Sequence, residues 1–187
     1  MTALEVLLNR RSIPVHCLTN PGPDAAQIAT ALDIAMCAPD HGRLQPARFK
    51  LVRGAARGKF SDLLVAAALA RDPAIPPGQL DKLRQRPLQA PLVIIVSARL
   101  REHPKVPEIE QLLSVGASAV NVLNAFFAQG FGAIWLTGPS TYDPAVATSL
   151  GLGNEERVIG FIYVGTIGGV VPSAAARAVR GSFVSEF

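Results

Sequence analysis

The side chains best suited to chemistry stand in three short groups. Arg10-Arg11-Ser12 sets two guanidiniums beside a hydroxyl just ahead of Pro14, where a helix must end. Such a set can make several charge-assisted hydrogen bonds to one phosphate. Equally, arginine at a helix C-terminus complements the helix dipole. His41 stands in the polar loop Asp40-His41-Gly42-Arg43-Leu44-Gln45-Pro46, between a helical and a strand pattern, a common place for ligand-binding groups. It could donate to a heterocycle's carbonyl or cap Asp40. The third group, Gly130-Phe131-Gly132-Ala133-Ile134-Trp135-Leu136-Thr137-Gly138, sets a lone Trp among glycines. That suits close approach of the backbone to a flat ring, and it suits core packing just as well.

Self-sufficient catalytic sets are missing. The sequence has no GxSxG elbow, no HExxH and no phosphate-binding GxxxxGK[ST] loop. No GxGxxG follows a strand pattern, so a Rossmann domain is not expected. His16, His41 and His103 are widely separated and suggest no metal site. An enzyme built on these residues would take its chemistry from a cofactor.

The 187 residues suffice for one sizeable core and are read as one domain, 1–187. Hydrophobic residues make up 49% and charged ones 17%, with a mean hydropathy of +0.30. That surplus predicts apolar surface covered by a second subunit. The net charge is +4, but the basic residues are scattered without aromatic interleaving, so a nucleic-acid groove is not expected. Cys17 and Cys37 form no CxxC pair, which fits a reducing compartment. The N-terminus lacks the layout of a signal peptide, and Asn121, Asn124 and Gln129 interrupt the longest apolar run. The expected address is the cytoplasm, with no membrane partner.

The positioning elements follow from caps and breakers. Thr2 with Glu5 is a capping-box pair ahead of Leu4, Leu7 and Leu8, and that helix should end near Arg11. Asp24 with Gln27 caps a second helix whose inner face is Ile28, Ala31, Leu32 and Ala35, stopped by Pro39. Strands are expected at Phe49–Val52, Leu92–Val96, Gly132–Leu136 and Val158–Thr166, the second of them buried on both faces. Further helices are expected at about Lys59–Ala70, then a short basic one ending before Pro87, then Pro107 to about Gln129. Between Val115 and Phe127 this last is apolar on nearly all sides and so should be buried all round, as the spine of the domain or of a dimer interface. Asp143-Pro144 starts a short final helix. The tail, about 167–187, either frays or reaches a partner. The class is α+β with a mixed or antiparallel sheet.

Taken in order, Ala3-Leu4-Glu5-(x)3-Asn9-Arg10-Arg11-Ser12, Ala38-Pro39-Asp40-His41-(x)3-Gln45-Pro46, Lys105-Val106-Pro107 and Ala128-Gln129-Gly130-Phe131-Gly132-(x)-Ile134-Trp135 resemble the small, minimal-length nitroreductases of the YdjA type. The resemblance continues through Val158 to Thr166. It implies an FMN-dependent NAD(P)H oxidoreductase with a nitroreductase-like fold, an intertwined homodimer with flavin sites at the subunit interface. NADH or NADPH would reduce FMN and leave; a flat acceptor such as a nitroaromatic or quinone would follow in a ping-pong cycle. By the same resemblance Arg10, Arg11 and Ser12 hold the flavin phosphate, Cys37 and His41 contact FMN, and Trp135, Leu136 and Thr137 line its site. A nicotinamide-nucleotide segment would fall on Ala125, Phe126, Phe127, Ala128, Gln129 and Gly130. No obligate acid–base residue is implied.

Three positions depart from the family pattern. Cys37 and Leu136 replace residues that are commonly basic, and Ala47 replaces the Trp of the QPW motif. Two missing cations would cost about 1–3 kcal/mol each if both touched the phosphate. Arg43, Arg48 and Arg180 are candidates to replace them. An alternative reading is a degenerate member that binds flavin weakly and acts as a carrier.

Overall fold

A computed structural model describes all residues except Met1, Ala174, Ala175, Arg177, Arg180 and Ser182. Among the described residues five strands form one sheet: β1 (Leu18–Thr19), β2 (Ala47–Arg53), β3 (Leu92–Arg99), β4 (Gly132–Leu136) and β5 (Glu156–Ile167). The helices are α1 (Ala3–Asn9), α2 (Ala25–Ala35), α3 (Ala56–Arg71), α4 (Pro77–Gln89), α5 (Glu108–Ala128) and α6 (Pro144–Ser149). β3 lies between β2 and β5, and β5 also pairs with β4 and β1. Every pairing is antiparallel.

Alternation along β3 sorts the core into two layers. Leu92, Ile94 and Val96 pack with Ile28 and Ala31 of α2 and with Val115, Val122 and Phe126 of α5. Val93 and Ile95 face the other way, toward Phe60 and Leu64 of α3 and Val146 of α6. The structure is therefore three layers, helix–sheet–helix. Phe60 and Phe161 meet edge to face with centroids 5.3 Å apart. Arg71, at the end of α3, reaches Asp143, the N-cap of α6, at 2.6 Å.

Both capping boxes form as expected, Thr2 with Glu5 and Asp24 with Gln27. Other boundaries differ. The first helix stops at Asn9, and Leu4, Leu7 and Leu8 point outward while Val6 turns in. The second stops at Ala35, before Pro39 can act. α4 runs through Pro87 to Gln89. A proline so near the helix end forfeits a single backbone bond, and its ring is buried. β1 was not expected; its two residues pair with Ile167 and Thr166, far away in sequence.

α5 is not buried on every side. Ile109, Leu113 and Val120 are exposed, because α2 and the sheet cover only one flank. By length and composition this helix is apolar enough to cross a bilayer, yet its other flank is core.

Candidate functional site

The Arg10-Arg11-Ser12 segment is fixed at both ends. Arg10 caps α1 with its N–H on the Val6 carbonyl and turns the chain into extended backbone. Ile13 then donates to the Ala133 carbonyl at 3.0 Å, tying the segment to β4. The approach is possible because Gly132 has no side chain: a Cβ there would lie 2.8 Å from Leu18 and 3.1 Å from Ile13. The segment that follows α1 and the Gly132–Trp135 segment, remote in sequence, thus become neighbours. The triplet lines a cavity of ≈ 700 Å³ with Leu7, Leu8, Pro14 and Pro172. Arg11 Nη1 donates to the Pro172 carbonyl at 3.2 Å, so the chain beyond β5 forms part of the wall.

Pro14 also borders a second cavity of ≈ 280 Å³, lined by His16, Lys82, Arg86, Ile134 and Leu136. Lys82 and Arg86 stand one turn apart on α4 and aim positive charge at the side of β4 opposite Trp135. Trp135 packs into the α2–α5 layer. Its Nε1 is buried without a hydrogen-bond partner among the described residues, and Gly160 makes room for the ring: a Cβ there would lie 2.0 Å from Nε1. Thr137 is exposed. Beneath the second cavity, burial pushes the Tyr163 hydroxyl up to about 12, opposed by the positive charge of Arg86.

The His41 loop opens elsewhere. Cys37 is exposed and its thiol donates to the Asp33 carbonyl at 3.4 Å. Asp40 Oδ2 accepts from the Gln45 N–H at 2.6 Å, and Arg48 Nη1 donates to the carbonyls of Gln45 (2.7 Å) and Ala47 (2.8 Å). These bonds hold Arg43 and Gln45 in left-handed backbone, φ 52° and 50°, a conformation costing about 1–3 kcal/mol for a non-glycine residue. His41 Nδ1 lies 2.5 Å from Glu110 Oε2 on α5. Arg43 and Asp40 line a cavity of ≈ 360 Å³ with Ser114 and Ser118. Cys37 and His41 line neither the arginine cavity nor the α4 cavity among the described residues.

The end of α5 is occupied with its own packing. Ala125 and Phe126 are buried, and Phe126 meets Phe131 edge to face at 6.3 Å. Gln129 Nε2 donates to the Gln27 and Ala125 carbonyls, both at 3.2 Å. Phe127 is half-buried, so Ala128 and Gly130 are the exposed residues of the segment.

The family model described as "Nitroreductase family" matches residues 7–166. The chain belongs to the nitroreductase family. Among its family relatives, YdjA of Escherichia coli (strain K12), provisionally named an NAD(P)H nitroreductase, is 40% identical over 169 residues, 89% of this chain and 88% of YdjA. A nitroreductase-like family protein from Bacillus cereus superposes with a TM-score of 0.85 at 21% identity, covering 100% of this chain and 96% of that one. A Desulfovibrio desulfuricans structure, provisionally named a nitroreductase and solved in complex with FMN, gives a TM-score of 0.73 at 21% identity, covering 100% and 97%. These likenesses establish the nitroreductase-like fold.

Within this nitroreductase-family chain, reading the sequence missed His16, Lys82 and Arg86. The one local signal was the basic helix between Pro77 and Pro87; its meeting with Leu136 is a tertiary event. Of the cations considered as replacements, Arg48 is engaged with loop carbonyls and Arg43 faces the Ser114 cavity. Arg180 lies outside the described residues.

Proposed function

We propose that this protein is an FMN-dependent NAD(P)H oxidoreductase, working by ping-pong hydride transfer to a flat acceptor such as a nitroaromatic or quinone. One observation carries the proposal: the arginine cavity and the cationic α4 cavity share Pro14, and Ile134 and Leu136 of β4 line the second of them. A ligand with a dianionic phosphate at one end and a polar ring system at the other fits that sequence of surfaces. When bound, FMN supplies hydride transfer at its isoalloxazine ring; the protein supplies position and charge.

Arg10, Arg11 and Ser12 would hold the phosphate, and Lys82 and Arg86 would supply the positive charge that Leu136 lacks. Leu136 would border the ring at the α4 cavity, and Trp135 and Thr137 would reach it through their backbone alone, since the indole packs on the opposite side of β4. His41 and Cys37 would come to the same site from a second subunit, because within the protomer their loop opens away from it. Leu4, Leu7 and Leu8 on α1, with Ile109, Leu113 and Val120 on α5, present the apolar surface that such a homodimer needs. Any nucleotide contact at the end of α5 would be made through Ala128 and Gly130, since Ala125 and Phe126 face the core. The cytoplasm remains the proposed location.

Anaerobic absorption spectra of the FMN-loaded protein before and after NADH or NADPH test the activity. Bleaching of the flavin band by either nucleotide is expected, and a bound flavin that neither one reduces would overturn the proposal. A protein that stays colourless after incubation with excess FMN would favour the weak-binding carrier that Cys37, Leu136 and Ala47 suggest.

A further inference from the structure

His41 has two ring nitrogens, and among the described residues only one is engaged. Nδ1 lies 2.5 Å from Glu110 Oε2, and no hydrogen bond of Nε2 is found among the described residues. An ionised carboxylate can only accept a hydrogen bond. The proton in that contact therefore belongs to Nδ1. An isolated neutral histidine prefers its proton on Nε2, so the contact reverses the ordinary tautomer.

Glu110 has a simpler role available, since an acidic residue in the first turn of α5 complements the helix dipole. That role requires no imidazole. The loop, moreover, is braced to bring one there: Asp40 accepts from the Gln45 N–H, Arg48 holds two loop carbonyls, and Arg43 and Gln45 stay left-handed. Gly42 packs so closely on Val106 that a Cβ would lie 3.1 Å from Val106 Cγ2. The ionisable groups on the packed elements are Glu110 on α5, Asp40 and Arg43 on the loop, and His103 and Lys105 beside Val106. Glu108, also on α5, pairs instead with Arg157 at 3.1 Å.

We propose that Glu110 is a positioning residue that keeps the proton of neutral His41 on Nδ1, so that Nε2 accepts a hydrogen bond when the ring is neutral and donates one only when it is protonated. A ligand carbonyl or anion facing Nε2 is then held by the imidazolium and released as the ring loses its proton. That this ligand is a flavin rests on the proposed function; the tautomer does not.

Nitrogen-15 NMR of the imidazole in the full-length protein, above the histidine titration range and without FMN, reads the tautomer directly. The wild type is expected to carry the proton on Nδ1, Glu110→Ala to revert to Nε2, and Glu110→Gln to keep Nδ1 protonated through its amide oxygen. A wild type protonated on Nε2, or a tautomer that Glu110→Ala leaves unchanged, overturns the proposal. FMN affinity between pH 6.5 and 9 supplies the second reading. The wild type should lose about tenfold relative to Glu110→Ala across that range, since the neutral ring of the variant still donates from Nε2 and that of the wild type cannot. Titration of the FMN phosphate is common to both proteins and cancels in the ratio. Equal pH dependence in the two proteins would also count against the proposal. Failure of all variants to bind FMN would sink the flavin reading while the NMR result still decides the tautomer.

Discussion

The two arginines at the end of α1 hold different positions. Arg11 gives one N–H to the Pro172 carbonyl, and Arg10 caps α1 through its backbone N–H. If the triplet holds the phosphate, Arg10→Ala should weaken FMN binding by about 1.5–3 kcal/mol, the value of a hydrogen bond to a charged group. Flavin fluorescence quenching measures it, and an unchanged affinity would remove the phosphate assignment. Arg86→Ala should weaken binding in the same assay if α4 supplies the missing charge. Tyr163 gives a prediction independent of any ligand. Its hydroxyl is raised to about 12 by burial, so the folded state resists ionisation that the unfolded chain undergoes near 10. Stability from this group is complete below pH 10 and is lost as pH rises toward 12, by about 2–3 kcal/mol. Denaturant melts at pH 9 and 11.5 should show this loss, and Tyr163→Phe should flatten it.

At the scale of elements, caps and close approaches set the geometry. Asp24→Ala removes the side-chain half of the capping box on α2 and should cost about 1 kcal/mol in a urea melt. The glycine under Trp135 is less forgiving. Gly160→Ala would drive a methyl group into the indole and should destabilise by about 1–3 kcal/mol or displace the ring, visible as a shift in Trp135 fluorescence. The caps were legible in the sequence because donor and acceptor lie three residues apart. β1 was not legible, since two residues carry no periodicity and their partners are the end of β5. The continuation of α4 through Pro87 was hidden for a related reason. A proline is an absolute break only where several turns must follow it. The α4 cavity was invisible because it joins Pro14, Lys82, Arg86 and Leu136, which no local pattern connects.

For the molecule as a whole, the outward face of α5 marks the limit of what hydropathy can say. An apolar residue reads the same whether it will meet its own core or another chain. Leu113 and Val120 lie on the exposed flank, Val115 and Val122 on the buried one. Leu113→Asp is expected to convert a dimer to a monomer in sedimentation velocity while the circular dichroism spectrum stays unchanged. A wild-type monomer would contradict the homodimer reading. The order of strands in the sheet bears on how the protein is made. β5 pairs with β1, β3 and β4, yet it follows all of them along the chain. A nascent chain that has emerged only as far as Asn154 can close just one ladder, β2 with β3, and must carry three unfinished strand edges meanwhile. Emergence of the final strand would thus be the moment of closure, and a chain stalled with β5 still inside the ribosome should engage chaperones or self-associate more than the released chain.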